Sequence, residues 1–268
     1  MIKSIDGLRD IHKGDDIWVI GSGPSMNYID NSFFENKITI GVNRICKYFK
    51  CNYIVAKDDT GFESILNNKK SSKLILSKHH GGTIGQRLNK VNVDHYIFSH
   101  PEKQDERPDI SVIKKNSNQI VVSYSTITSA IHLAAYMGAK NIIICGHDCG
   151  TIDGYSTIKE YYKSTKPVQI TAKGYINWLK IIESDTLTVN SAIKKEYLCN
   201  IHSLNPFMNL NATQHKYIHS SKYKEIRANE IKRPTKFNPI IPWITFIKSS
   251  IALVKKSKNK ILQLLHSL

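Results

Sequence analysis

Short apolar runs rich in β-branched residues alternate along this chain with longer segments in which apolar residues recur every three or four positions. The short runs predict buried strands and the longer segments predict helices. The predicted strands are Ile17–Ile20, Ile38–Val42, Tyr53–Ala56, Leu74–Leu76, Tyr96–Phe98, Ile120–Val122, Asn141–Cys145 and Tyr197–Ile201. The predicted helices are Ile127–Met137, which Gly138 ends, and Lys173–Glu196. This alternation indicates an α/β fold with a Rossmann-like, mostly parallel sheet and helices on both faces.

Polar residues gather where several of these predicted strands end. In parallel sheets, ligands bind outside the carboxyl ends of the strands. Each such residue alone is typical of a turn or a helix cap, but their convergence at five strand ends predicts a shared binding site. The residues are Ser22, Ser25, Asn43, Asp58, Asp59, Ser125, Thr126, His147 and Asp148.

The end of the first long strand has the most specific pattern. Gly21 and Gly23 allow a sharp turn and a close backbone approach, and Pro24 suits the first turn of a helix with Ser25 as its N-cap. Exposed N–H groups and the helix dipole would favour a phosphate there. The dinucleotide fingerprint is incomplete, because Met26 stands where its third glycine would be. An ordinary strand–turn–helix is the alternative.

Net charge and cysteine content limit the classes of ligand and partner that we expect for this chain. The 268 residues carry a formal net charge of +16, which attracts nucleic acid, acidic lipid or phosphorylated substrates. Nucleic acid is disfavoured, because no zinc-finger, RNP-like or homeodomain-like pattern is visible. Five cysteines, an odd number without a C-x-x-C pair, fit a reducing compartment. A metal site formed by Cys145, His147 and Cys149 is a disfavoured alternative.

The polar N-terminus has no apolar core of a signal peptide, and no apolar run reaches the ~18 residues of a membrane span. We therefore expect a cytoplasmic protein. We predict that residues 1–205 form the catalytic domain, with a tyrosine-containing lid at about 151–170. We predict that residues 206–268 form a basic tail. Within it, residues 240–268 should form an amphipathic helix suited to an anionic membrane surface. A surface excursion in place of the lid, and a C-terminal helix docked on the domain's own core, are the alternatives.

Three blocks carry a family resemblance. They are Val19–Met26, Ile40–Asn43, and the run from Tyr124 to Asp148 that includes Tyr124–Ala130 and Gly138–Asp148. Together they resemble a superfamily with two branches, the bacterial sialyltransferases of glycosyltransferase family forty-two and the MptE-like group, named for 6-hydroxymethylpterin diphosphokinase. The resemblance implies a single Rossmann-like domain of the GT-A-variant kind with a lid.

The sialyltransferase branch implies a role for each matching residue. The loop Gly21, Ser22, Gly23, Pro24 and Ser25 would contact the phosphate side of a CMP-sugar, Asn43 would hold the nucleotide, and Ser125 and Thr126 would contact the donor. Gly146 and Asp148 would lie near the ribose and base, and lid tyrosines, with Tyr155, Tyr161 and Tyr162 as candidates, would help the phosphate depart. This branch implies no metal, a glycan or glycolipid acceptor, and a location on the inner face of the cytoplasmic membrane.

This chain differs from the sialyltransferase branch in one feature, and the difference leaves a second function as an alternative. Its lid carries a catalytic-base histidine, but this chain has no histidine between Asp148 and Lys194. We therefore assign acid–base work to His147 as a hypothesis. The MptE-like branch implies instead a Mg²⁺-dependent diphosphokinase, with the metal held by Asp58, Asp59 or Asp148. A lipid- or nucleic-acid-binding module without catalysis is the third hypothesis.

Overall fold

The computed structural model describes residues 2–29, 31–57, 62–77, 95–99, 107–149, 157–158, 161 and 173–204. Eight strands form one sheet, in which every strand pair is parallel and the order is β1-β6-β5-β4-β3-β2-β7-β8. The strands are β1 Ile2–Ser4, β2 Asp16–Ile20, β3 Ile38–Val42, β4 Tyr53–Ala56, β5 Lys73–Ser77, β6 His95–Phe98, β7 Asn141–Cys145 and β8 Asn200–Ser203. The predicted α/β, Rossmann-like sheet is confirmed.

In the part of the chain that the structure describes, three α-helices pack on this sheet: α1 Phe62–Asn68, α2 Thr126–Tyr136 and α3 Lys173–Tyr197. Short 3₁₀ helices cover Ile5–Leu8, Pro24–Tyr28, Asn31–Phe34, Asn43–Lys47 and Ile110–Val112. The long helices α2 and α3 lie on one face, and α1 lies on the other with the 3₁₀ helices that follow β2 and β3. Helices on both faces are therefore confirmed. One face carries the two long α-helices, whereas the other carries one short α-helix and 3₁₀ helices.

Alternation along each strand explains why the sheet is buried on both sides. Ile17 and Val19 face the α2–α3 core, whereas Trp18 and Ile20 face the α1 core. Successive side chains of a strand point to opposite faces, so a strand covered on both sides needs an unbroken apolar run. In β7 all five positions are buried, and the four from Ile142 to Cys145 are apolar.

Two strand predictions differ from the structure. Residues 120–122 do not form a strand, because α2 side chains take the hydrogen bonds that a neighbouring strand would make. Val121 donates its N–H to His132 Nδ1 (3.0 Å), and its carbonyl accepts from Ser129 Oγ (2.7 Å). The last strand begins at Asn200 rather than Tyr197, because α3 continues through Tyr197. The edge strand β1, which is exposed at every position, has no apolar pattern and was not predicted.

The strand order places a topological switch point in the middle of the sheet. From β2 the chain proceeds through β3, β4, β5 and β6 towards one edge, and then returns to place β7 and β8 on the other side of β2. The loops that follow β2 and β7 therefore leave neighbouring strands towards opposite faces. Open α/β sheets bind their ligands in the crevice at such a point.

The two-sided burial of β7 has a testable consequence. Ile144 is completely buried, so Ile144→Ala should lower the free energy of unfolding by about 2–5 kcal/mol, as expected for a cavity in a packed core. Leu187→Ala is the control, because Leu187 is 41% exposed and its truncation should change stability by under about 0.5 kcal/mol. Urea denaturation followed by circular dichroism measures both values. Equal losses in the two variants would contradict the burial of β7.

Candidate functional site

Three central strands end at one level of the sheet. Ile20, the last residue of β2, pairs with Gly41 of β3 and with Cys145 of β7. Gly21 and Gly146 consequently follow side by side at the switch point. The segments that the sequence analysis singled out after these strands are thus brought together by strand register.

The loops after β2 and β7 are in direct backbone contact. Gly21 donates its N–H to the carbonyl of Cys145 (2.8 Å), and Gly23 donates to the carbonyl of Gly146 (2.7 Å). A Cβ on Gly23 would lie 2.6 Å from the Gly146 carbonyl oxygen and 2.8 Å from Asp148 Cγ. Gly146 has a φ of +64°, which other residues adopt at a cost. These glycines are needed for the approach of one loop to the other.

A buried carboxylate joins the same two loops. Asp148 Oδ2 accepts the backbone N–H of Ser25, and Oδ1 accepts the Ser25 hydroxyl, both at 2.7 Å. Ser25 is fully buried and Asp148 is 2% exposed. Hydrogen bonds to an ionised acceptor are stronger than neutral ones, and burial protects them from water. We call this pair of bonds the Ser25–Asp148 clasp.

The helix that follows β2 differs from the prediction. It is a 3₁₀ helix, Pro24–Tyr28, whose N-cap is Gly23, so Ser25 lies inside it rather than capping it. Pro24 occupies the first turn, as predicted. The N–H of Ser25 is bonded to Asp148 and is therefore not free for a phosphate. The nucleotide contacts predicted for the loop stay predictions, and its partly exposed member is Ser22.

A longer helix begins at the same edge. Ser125 caps α2 by accepting the N–H of Ile127 (3.5 Å), and Thr126 in the first turn is 5% exposed. Asn43, at the end of β3, has a φ of +53° and donates its side-chain amide to Thr126 Oγ1 (3.5 Å). The side-chain carbonyl oxygen of Asn43 is buried without a hydrogen-bond partner. A buried unpaired acceptor costs free energy, so a donor from a ligand would be favoured at this place.

A cation that the sequence analysis missed supports the start of α2. Lys57 follows β4 and donates its ammonium group to the carbonyl of Ser123 (2.6 Å) and to that of Tyr124 (3.4 Å). It therefore fixes the segment before Ser125 and brings a positive charge to this edge. The available signal was its position directly after a strand, next to Asp58 and Asp59.

His147 is held by a helix that is distant in the sequence. Its side chain is 7% exposed, and Nε2 lies 2.8 Å from Thr186 Oγ1 of α3. Burial lowers the pKa of His147 to about 4, so the imidazole is neutral at physiological pH. The thiol of Cys149 is a weaker neighbour at 3.9 Å from Nε2. The acid–base role of His147 stays a prediction.

Two described parts of the predicted lid contact the site. The N–H of Ile158 donates to the carbonyl of Ser22 (2.8 Å). The Tyr161 ring stacks on Tyr48 at 6.1 Å between centroids, and the Arg44 guanidinium lies 4.8 Å from the Tyr161 centroid. These contacts join the segment to the β2 loop and to the 3₁₀ helix Asn43–Lys47.

Several predicted residues lie outside the described part of the chain. They are two of the three candidate lid tyrosines and two of the alternative magnesium ligands, namely Tyr155, Tyr162, Asp58 and Asp59, together with the tail 240–268. Among the residues that the structure does describe, no group of three or more His, Cys, Asp or Glu side chains is placed to hold a metal ion. Both oxygens of Asp148 are already bonded to Ser25. The absence of a metal requirement in the sialyltransferase-like hypothesis and the Mg²⁺ of the MptE-like alternative both stay predictions.

Of three comparisons with known proteins, only the one with solved structures finds matches. No family model matches this chain, and no curated protein matches it. Twelve chains of solved structures do match. The sialyltransferase CstII from Campylobacter jejuni in complex with cytidine-5'-monophosphate is 14% identical, over 76% of this chain and 84% of that one, with a TM-score of 0.40. The alpha-2,3-sialyltransferase from Campylobacter jejuni in apo form is 12% identical, over 90% and 95%, with a TM-score of 0.41.

A further match is the monofunctional alpha-2,3-sialyltransferase Cst-I from Campylobacter jejuni, at 15% identity over 91% of this chain and 95% of that one, with a TM-score of 0.38. The chain is thus similar to bacterial sialyltransferases, the branch that the three sequence blocks resemble. Within the described residues, no helix is both long and apolar enough to cross a membrane.

The Ser25–Asp148 clasp predicts strong energetic coupling between two residues that are far apart in sequence. Ser25→Ala and Asp148→Asn should each lower the free energy of unfolding by about 1–3 kcal/mol, because each leaves a buried polar group unpaired. The double variant should lose less than the sum of the two, with a coupling of about 0.5–3 kcal/mol. Urea denaturation of the four proteins completes this cycle. Ser22→Ala is the control, and additivity of the two single losses would contradict the clasp.

Proposed function

We propose that this protein is a membrane-peripheral glycosyltransferase that transfers a sugar from a nucleotide donor, CMP in the first instance, to a glycan or glycolipid acceptor of the bacterial surface. The observation that carries the proposal is the meeting of Asn43, the first turn of α2 and the β2 loop at the switch point of a parallel sheet. The sequence blocks that resemble sialyltransferases contain these same residues.

The local electrostatics suit an anionic donor. The first turn of α2 directs the positive end of a helix dipole towards the carboxyl edge. Lys57 adds a full positive charge beside the segment that precedes Ser125. A donor phosphate would thus face positive potential, and its nucleotide would meet the unpaired side-chain carbonyl of Asn43.

The excess of basic residues in the tail supports the proposed binding to a membrane surface. Twelve of the 38 basic residues lie after residue 205, but only two of the 22 acidic ones do. No acidic residue follows Glu230, and Trp243 and Phe246 precede a lysine-rich apolar run. Lysines interleaved with apolar residues are attracted to anionic lipid headgroups, where lipid-linked acceptors are found.

The donor assignment predicts a specific binding profile. Calorimetric titration should show CMP or CDP binding without Mg²⁺, and no comparable binding of GDP, UDP or ATP. Asn43→Ala should weaken CMP binding by on the order of tenfold to a hundredfold, because a hydrogen bond to the nucleotide is lost. Asn200→Ala is the matched control, since Asn200 is an exposed asparagine at the opposite edge of the sheet.

The other results of that titration each point elsewhere. Binding of ATP only with Mg²⁺ would favour the MptE-like phosphotransferase. Silence with every nucleotide would reject both enzymes and leave a lipid- or nucleic-acid-binding module. An equal loss of affinity in the Asn43 and Asn200 variants would remove Asn43 from the nucleotide site.

The membrane assignment predicts that a few tail lysines determine lipid binding. Each lysine near an anionic surface contributes about 1 kcal/mol, so replacing four with glutamine should weaken binding to phosphatidylglycerol-containing vesicles by more than a hundredfold. Cosedimentation with these vesicles and with pure phosphatidylcholine vesicles measures the effect. The tail variant replaces Lys255, Lys256, Lys258 and Lys260. The control replaces four exposed lysines of the domain, Lys140, Lys180, Lys194 and Lys195. Equal losses would indicate a general charge effect and no membrane segment.

A further inference from the structure

Thr186 of α3 makes two hydrogen bonds with its single hydroxyl. The hydroxyl lies 2.8 Å from the carbonyl oxygen of Ile182, one turn earlier in the helix, and 2.8 Å from His147 Nε2. A carbonyl oxygen only accepts, so the Thr186 proton goes to Ile182. The contact with His147 must then run the other way, with Nε2–H as the donor.

This direction determines which tautomer His147 adopts. A neutral imidazole has one N–H and one lone pair, and the hydrogen bond of one nitrogen sets the role of the other. With the proton on Nε2, the lone pair is on Nδ1. The thiol of Cys149, at 3.9 Å from Nε2, is too weak a partner to compete with a hydroxyl at 2.8 Å.

The turn of α3 that carries Thr186 is well fixed. Thr186 and its neighbour Asp185 are both completely buried. The Asp185 carboxylate forms an ion pair with Arg107 at 3.0 Å, which ties this turn to the segment that leads to the 3₁₀ helix Ile110–Val112. A rigid helix therefore presents the hydroxyl to the loop that also carries Asp148.

We propose that Thr186 is a positioning residue, whose hydroxyl holds His147 as the Nε2–H tautomer and leaves Nδ1 as the one atom of the ring able to take a proton from the acceptor hydroxyl. This inference rests on the proposed glycosyl transfer. In that step the acceptor oxygen bonds to the anomeric carbon of the sugar, its proton goes to Nδ1, and the bond from that carbon to the CMP phosphate oxygen breaks. CMP leaves with the electron pair of that bond.

The experiment combines a spectroscopic and a kinetic readout on the full chain. ¹⁵N-histidine labelling and two-bond ¹H–¹⁵N correlation spectra report which nitrogen carries the proton, and the His147 signals are identified by their loss in His147→Gln. The wild type and Thr186→Ser should show the Nε2–H tautomer, and Thr186→Val should populate the Nδ1–H form. With a CMP-sugar, Thr186→Val should lower kcat on the order of a hundredfold with little change in the donor KM, and serine should restore it.

Thr188→Val is the matched control. Thr188 makes the same bond to the carbonyl four residues earlier, that of Ser184 at 2.9 Å, but its side chain is exposed. The control should change neither the His147 spectrum nor kcat. An Nδ1–H tautomer in the wild type, or equal spectra for the wild type and Thr186→Val, would overturn the proposal, as would an unchanged kcat in Thr186→Val. Absence of any sugar transfer by the wild type would reject the proposed function instead, and the spectra would still decide the tautomer.

Discussion

Hydrogen bonds between Ser25 and the Asp148 carboxylate hold together the two loops on which the candidate site depends. They act together with the backbone bonds donated by Gly21 and Gly23, because the chain after β2 and the chain after β7 leave neighbouring strands towards opposite faces of the sheet. A buried carboxylate is costly unless its oxygens are bonded, and here a backbone N–H and a hydroxyl bond one oxygen each. The clasp therefore requires the close approach that Gly21, Gly23 and Gly146 allow.

The clasp also changes the chemical meaning of Asp148. A carboxylate whose two oxygens accept hydrogen bonds from Ser25 acts on a ligand through the loop geometry that it maintains. His147 differs from Asp148, because Thr186 engages only Nε2 of its ring and the proposed proton transfer uses Nδ1. Asp148, which looks catalytic in the sequence, is thus part of the scaffold, and an atom left open at this edge is the side-chain carbonyl of Asn43.

The sequence predicted the sheet well, because a strand buried on both faces leaves an unmistakable apolar run. β3, β4 and β7 have the bounds that their runs predict, and α2 begins and ends within one residue of its predicted range. The prediction was wrong at 120–122, where an equally apolar run bonds to Ser129 and His132 of α2. Apolar pattern reports burial, whereas the hydrogen-bond partner decides whether a buried segment is a strand.

The site was only partly predictable, for a related reason. Strand ends are visible in the sequence, so the convergence of Ser25, Asn43, Thr126 and Asp148 could be anticipated from the rule for parallel sheets. A partner supplied by a distant element has no local signal, and this is why Thr186 was missed, whereas Lys57 was signalled only by its position after a strand. The cap predicted at Ser25 was wrong because a carboxylate 123 residues away bonds the same groups. Local propensity describes which bonds a side chain is able to make, and tertiary structure selects among them.

Positive charge is found both at the described site and in the tail 206–268, but its arrangement differs between the two. At the described site the Asp148 carboxylate is bonded to Ser25 and His147 is neutral, and the positive groups there are the α2 terminus, Lys57 and Arg44. Such a site favours a ligand with a compact negative charge, as a nucleotide phosphate has. Most of the net charge lies instead in the tail, where lysines spaced among apolar residues suit an extended anionic surface. Under the proposed function, the described site binds the soluble donor, and the charge density of the tail binds the membrane that carries the acceptor.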